Sequence, residues 1–270
     1  MTLLAVENLR VSAPSRELVH GVSFALAPGE RLGLVGESGS GKSLTAMAVV
    51  GLLATGLRTD GSILLDGRQV VGQPDRRIVP LRGAVASVVF QDPRAALDPL
   101  MRLGGQLAEP IRRRAAREGR SLTARALRDE QARWLDRVAI ADSRRILNAY
   151  PHEVSGGQRQ RIAIAMALAC GPRLLIADEP TTALDVTTQA EVLDLLDDLV
   201  RAEGLALLFI SHDLPVVARI ADRVIVMRQG EMVEEGPAAS VFSQPQHDYT
   251  KMLVGAARRL QAALTGDAPP

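Results

Sequence analysis

The eight residues Gly36-Glu37-Ser38-Gly39-Ser40-Gly41-Lys42-Ser43 constrain this chain more than any other stretch. They match the spacing G-x-x-x-x-G-K-[ST] without departure. A run that is apolar after its first residue, Arg31 to Val35, precedes them, and helical periodicity through Ala46, Val49, Val50 and Leu53 follows. The pattern predicts a buried strand, a phosphate-cradling loop and a helix, in that order. Gly39 and Gly41 let the backbone wrap so that successive N–H groups point inward at phosphate oxygens. The helix adds its partial positive end. Lys42 can reach the β- and γ-phosphates of a nucleotide, and the Ser43 hydroxyl can ligate Mg²⁺. The predicted phosphate-binding set runs from Gly36 through Ser43 to Leu44. A Gly/Ser-rich connector is the alternative, and the spacing and flanking elements disfavour it.

A second candidate is Leu174-Leu175-Ile176-Ala177-Asp178-Glu179, a buried strand ending in two carboxylates. In P-loop proteins an acid at such a strand end holds Mg²⁺, which points to Asp178. Glu179, one residue on, can orient and deprotonate an attacking water. A strand merely ending in solvated acids would be an even alternative without the loop upstream. A third feature is Val154-Ser155-Gly156-Gly157-Gln158 ahead of a helical run. Ser155 and Gln158 have the spacing of a capping box, and a Gly-rich helix start is also an anion site. A second phosphate-binding element far from the first predicts a composite site shared by two chains.

Strands expected at 3–11, 22–35, 63–67, 85–90, 174–177, 205–210 and 223–227 alternate with helices, which predicts an α/β fold with a mostly parallel sheet. Pro28-Gly29-Glu30 is expected to turn the second of these. Between Pro93 and His152 the chain becomes polar and helix-forming, with breaks expected at Pro99, Pro110 and Gly119. Leu127, Trp134, Leu135 and Val138 fall on one helical face, so an inserted helical sub-domain is expected over about 93–158. Arg112-Arg113-Arg114, Arg117 and Arg120 read as a solvated helix face. The tail beyond Leu264 is expected to fray.

Composition excludes several classes. Lys+Arg 32 against Asp+Glu 31 leaves a net charge of +1, so no basic field calls for nucleic acid. Aromatics make up 3%, too few for a base-stacking platform. Cys170 is the single cysteine, expected as a small buried thiol, so neither a disulfide framework nor a cysteine zinc site is possible. The N-terminus has no secretory pattern, and no apolar stretch is long enough to span a bilayer. Any membrane role must therefore run through docking on a spanning partner.

The ordered set resembles the ATP-binding-cassette (ABC) ATPases over roughly residues 3–240. In that family a phosphate loop, a glutamine loop, a serine-glycine-glycine signature, an acidic strand, a D-loop and a switch histidine follow one another. Here they read as Gly36–Ser43, Gln91, Ser155–Gln158, Asp178-Glu179, Ala183-Leu184-Asp185 and His212. The signature has Val154 where leucine is usual. The resemblance implies a P-loop NTPase fold with a RecA-like parallel-sheet core, an N-terminal antiparallel β sub-domain and the helical insert, followed by a short extension over 241–270. It implies ATP and Mg²⁺ as cofactors and head-to-tail dimers, with Ser155, Gly156, Gly157 and Gln158 of one chain closing over ATP held by the other. It also assigns Asp185 to nucleotide binding. Gln91 would sense the γ-phosphate and Mg²⁺, and His212 would contact the γ-phosphate and position water with Glu179. One departure stands out: the family's adenine-stacking aromatic is missing near Val11–Pro14, and Phe24 is the only aromatic before Gly36.

Phe90-Gln91-Asp92-Pro93, Leu97-Asp98-Pro99, Tyr150-Pro151-His152-Glu153 and Gln246-His247-Asp248-Tyr249-Thr250 are similar to segments of the ATPases that serve oligopeptide, dipeptide and nickel importers. That narrower likeness implies a second ATPase subunit, identical or different, two transmembrane permeases, an extracytoplasmic binding protein acting indirectly, and a peripheral position on the cytoplasmic face of the membrane. Peptides are the expected cargo, with nickel or a metal chelate as the alternative. A soluble ABC ATPase acting on DNA or ribosomes would usually carry two cassettes or a long coiled coil, and neither is visible here.

Overall fold

Burial alternates along the first strands, as expected where one sheet face is covered. The computed structural model describes residues 2–182 and 184–265. β1 (Leu4–Ala13) and β2 (Arg16–Leu26) form an antiparallel pair. Val22, Phe24 and Leu26 point inward, while Ser23 and Ala25 point outward. After the Pro28-Gly29 turn comes β3 (Arg31–Val35), buried from Leu32 onward as a strand covered on both faces should be. α1 (Lys42–Val49) follows the loop. β4 (Arg58–Leu65) and β5 (Arg68–Gln69) form a hairpin through Asp66-Gly67, both at positive φ, the conformation Asp-Gly favours. α2 (Asp75–Ile78) ends this stretch.

The middle of the chain, Val79–Leu205, is a compact unit by itself. It contains β6 (Ala86–Val89), α3 (Pro93–Ala96), α4 (Leu103–Arg117), α5 (Ala124–Arg137) and α6 (Ser143–Asn148). A 3₁₀ turn over Pro151–Glu153 leads to α7 (Gly156–Ala169), β7 (Leu174–Asp178) and α8 (Val186–Glu203). β6 and β7 pair in parallel, with Val89 opposite Ala177.

Residues Ala206–Pro270 join Met1–Ile78 in the other compact unit. They supply β8 (Ala206–Ser211), α9 (Leu214–Ile220), β9 (Arg223–Arg228), β10 (Glu231–Pro237), α10 (Ala238–Ser243) and α11 (Asp248–Thr265). In this unit the antiparallel sheet has the order β2-β1-β4-β5, and the other strands have the order β10-β9-β3-β8. β3 runs parallel to both β8 and β9.

Several sequence expectations are corrected. Pro110 does not break the chain but lies inside α4. Proline in a helix interior costs about 3 kcal/mol, and burial of Leu103, Leu107, Ala108, Ile111 and Ala115 along the same helix outweighs it. Helix α1 stops at Val49 rather than running to Leu53. Gly51 turns at φ 63, and the N–H groups of Gly51 and Leu52 return to the carbonyls of Ala48 and Met47, a Schellman ending. The second strand starts at Arg16, not 22. Cys170 is only partly buried, at the C-cap of α7. The arginine cluster is indeed a solvated face: Arg113 pairs with Glu109 at 2.7 Å, and Arg114 and Arg120 pair with Glu118 at 2.8 and 2.7 Å. Ala183 and the tail residues 266–270 lie outside the described residues.

Candidate functional site

In the unit containing β3, the phosphate loop connects β3 to α1. Val35 at the end of β3 pairs with Ser211 at the end of β8. The next residues, Gly36 and His212, therefore leave neighbouring carboxyl strand ends, where ligands of parallel sheets gather. Gly36 has φ 149, and a Cβ there would lie 2.1 Å from the Met227 carbonyl oxygen, so only glycine fits. Gly39, at φ 81, would meet nothing within 4 Å, so its freedom serves the turn and leaves the loop open to a ligand. Gly41, at φ 99, is the N-cap of α1 and has no side chain to cap the first turn. Helices α7, α8 and α9 are instead capped by Ser155, Asp185 and Asp213. Of these four helices, α1 is the one whose first turn has no side-chain cap.

Lys42 is 4% exposed. Its Nζ donates to the carbonyls of Gly36 at 2.7 Å and Glu37 at 2.9 Å, and lies 3.5 Å from Ser40 Oγ. These bonds satisfy the buried ammonium and hold it in the loop's concavity. Ser40 is buried and its carbonyl accepts from the Gly230 N–H at 3.0 Å. Glu37, Ser38 and Ser43 are exposed and Leu44 is partly buried. His212 is exposed, just past β8.

The remaining site residues belong to the other unit. Gln91 and Glu179 each lie two residues beyond the paired Val89 and Ala177. The Gln91 amide donates to Glu179 Oε2 at 3.3 Å, and the Thr182 hydroxyl donates to the same oxygen at 3.0 Å. Thr182 had no assigned role from sequence, and its position three residues after Glu179 was the only signal. Glu179 sits at φ 47, a left-handed conformation that costs a non-glycine residue about 1 kcal/mol. Asp178, 8% exposed, ends β7.

Ser155 and Gln158 form the expected capping box: Ser155 Oγ accepts from the Gln158 N–H at 3.2 Å, and Gln158 Oε1 accepts from the Ser155 N–H at 3.1 Å. A Cβ on Gly157 would come within 2.6 Å of Thr188 Cγ2, which ties the signature turn to the start of α8. Asp185 caps α8 by accepting from the Thr188 N–H at 3.0 Å. That N–H bond, first among several, holds its carboxyl below the usual range. A cavity of about 410 Å³ in this unit is lined by Gln91, Arg94, Gly156, Arg159, Thr182 and Leu184, among others.

Residues 19–182 match the family described as ABC transporter, more than half of the chain. The oligopeptide transport ATP-binding protein OppD of Salmonella typhimurium is 48% identical over 264 residues, covering 96% of this chain and 77% of that protein. The dipeptide transport ATP-binding protein DppD of Bacillus subtilis is 46% identical over 264 residues, with the same two coverages. Among solved structures, a dimeric post-hydrolysis state of the ATP-binding cassette MJ0796 bound to ADP and Pi superposes with a TM-score of 0.76. It is 25% identical and covers 87% of this chain and 98% of that one. These relatives and the strand-end geometry agree on one family: the chain is an ABC ATPase and belongs to the ABC transporter family.

Proposed function

We propose that this chain is the ATP-hydrolysing subunit of an ABC importer that carries peptides across the cytoplasmic membrane. The observation that carries the chemistry is the loop Gly36–Ser43, open at Gly39, with Lys42 held inside it by its own carbonyls. The cargo follows from the likeness to the oligopeptide and dipeptide proteins, since transported substrate leaves no mark on an ATPase subunit.

Lys42 and the N–H groups from Gly39 to Leu44 bind the phosphates. Ser43 and Asp178 offer a hydroxyl and a carboxylate, hard oxygen donors that suit Mg²⁺. The ion, when bound, neutralises charge on the phosphates. Glu179 takes the proton of the attacking water. Gln91 and Thr182 keep its carboxylate in one orientation. His212 orients the γ-phosphate and water. Ser155, Gly156, Gly157 and Gln158 serve the nucleotide of a second cassette, with Asp185 on the adjoining helix. Two permeases and a second ATPase subunit complete the assembly, and the binding protein acts through the permeases. Among the described residues no helix is long and apolar enough to cross a membrane, which fits a peripheral subunit on the cytoplasmic face. The cassette covers 3–240, with the helical part over about 93–158 and a C-terminal extension over 241–270.

Uptake of labelled di- and tripeptides tests this. Cells carrying Lys42→Ala should lose peptide uptake and keep nickel uptake. Loss of nickel uptake with peptide uptake intact would replace the peptide reading with the nickel one.

A further inference from the structure

The peptide unit between Gly36 and Glu37 is gripped at both ends. Its carbonyl, on Gly36, accepts from Lys42 Nζ at 2.7 Å. Its N–H, on Glu37, donates to the Tyr249 hydroxyl at 3.1 Å. Tyr249 lies 212 residues further along the chain, in the first turn of α11. It is 4% exposed, and the Arg228 guanidinium covers its ring at 4.9 Å from the centroid. Arg228 ends β9, the strand that pairs with β3 beside the loop.

The start of α11 is itself fastened. Glu234 on β10 accepts from the N–H groups of Gln246 at 2.8 Å and His247 at 3.0 Å. His247 Nδ1 accepts from the Tyr249 N–H at 3.1 Å. Burial raises the Tyr249 phenol above its usual 10, so it stays neutral at physiological pH. The tyrosine is a fixed acceptor rather than a mobile one.

The two grips differ in what a nucleotide does to them. When phosphate enters, Lys42 must exchange the Gly36 and Glu37 carbonyls for phosphate oxygens. The carbonyl end of the peptide then loses its partner. The N–H end keeps Tyr249, because that amide is already bonded outside the loop. We propose that Tyr249 is a positioning residue for ATP binding: its hydroxyl holds the Gly36–Glu37 peptide in place while Lys42 moves to the phosphates, so the C-terminal helix sets nucleotide affinity. This rests on the ATPase reading above.

Tyr249→Phe keeps the ring and removes the acceptor. Losing one hydrogen bond to this part-buried N–H should raise the KM and Kd for ATP about five- to tenfold. Turnover at saturating ATP should stay within twofold, and the thermal midpoint should fall by no more than a few degrees, the scale of one lost hydrogen bond. Hydrogen exchange on the nucleotide-free protein gives a second readout. The Glu37 amide should be protected in the unchanged protein and exchange faster in the variant, with β3 and β8 unaffected. Unchanged KM and exchange in the variant overturn the proposal. So does a KM rise that comes with a fall in thermal midpoint well beyond that scale and a drop in turnover at saturating ATP, which marks a purely structural residue. A Glu37 amide unprotected in the unchanged protein overturns it without any variant. An unchanged protein that fails to bind ATP sinks the ATPase reading instead, and exchange at Glu37 then still decides the Tyr249 contact.

Discussion

Lys42 in the phosphate loop is almost fully buried and bonded to its own loop, whereas Gln91, Ser155 and Asp185 stand exposed on the other unit. Helix α1 begins with a glycine that cannot cap it; α7 and α8 begin with side chains that do. On the proposed reading, the first cluster receives the phosphates of this chain's own nucleotide, and the second, whose helices are capped by their own side chains, meets a nucleotide held by another chain. Changes in the first should therefore alter affinity, and changes in the second should alter turnover.

The largest effect that could break this comparison is at Glu179. Glu179→Gln should cut steady-state phosphate release by at least about a hundredfold, the scale of a lost general base, while ATP binding persists and closed dimers accumulate on size exclusion. Undiminished hydrolysis would remove Glu179 from the chemistry. Next comes Lys42→Ala, which loses a charge-assisted contact of about 1.5–3 kcal/mol and should weaken ATP binding by roughly ten- to hundredfold in equilibrium titration. An unchanged affinity would overturn the contrast from the loop side. Ser155→Arg should leave nucleotide affinity at its own loop within twofold and lower hydrolysis at the partner's site in mixed dimers by more than about tenfold. Equal activity at both sites would end the shared-site account.

Smaller effects sharpen the picture. Phe24 is buried in β2 and cannot stack on a base. Aromatic stacking contributes about 1–3 kcal/mol per base. Without it, GTP should compete for the site within about tenfold of ATP, as competition binding would measure. Preference for ATP beyond a hundredfold would mean a base contact from another side chain. The smallest effect concerns the C-terminal fastening. Partial burial raises the pKa of Glu234, but the Gln246 N–H, the Thr250 hydroxyl and the His247 N–H lower it, and lowering prevails against a usual value of 4.5. A carboxylate with a depressed folded pKa stabilises the fold above its unfolded value and loses that contribution as pH falls through the folded one. Thermal midpoints of the unchanged protein and Glu234→Gln should therefore differ near pH 7 and converge below about 4.5.

The phosphate loop was readable because the residues that mark it are contiguous: two glycines, a lysine and a serine between one strand and one helix. The capping box at Ser155 and Gln158 was readable for the same reason. The Asp178-Glu179 pair showed in an apolar run ending in acids. The helix through Pro110 was not readable, because a local penalty was outweighed by burial that depends on neighbours. β10 escaped as well, since none of its residues is buried and they carry no two-residue alternation of apolar side chains.

The sequence by itself determined the loop, the strand–helix alternation and the order of motifs that marks the family, all of which rest on interactions within a few residues. Only the tertiary structure decided how those pieces are supported. The Val35–Ser211 register brings His212 beside the loop, and the Val89–Ala177 register brings Gln91 to Glu179. Folding also carries Tyr249 across 212 residues to a single backbone N–H. Such contacts are set by strand pairing and packing between distant segments, and no spacing along the chain encodes them.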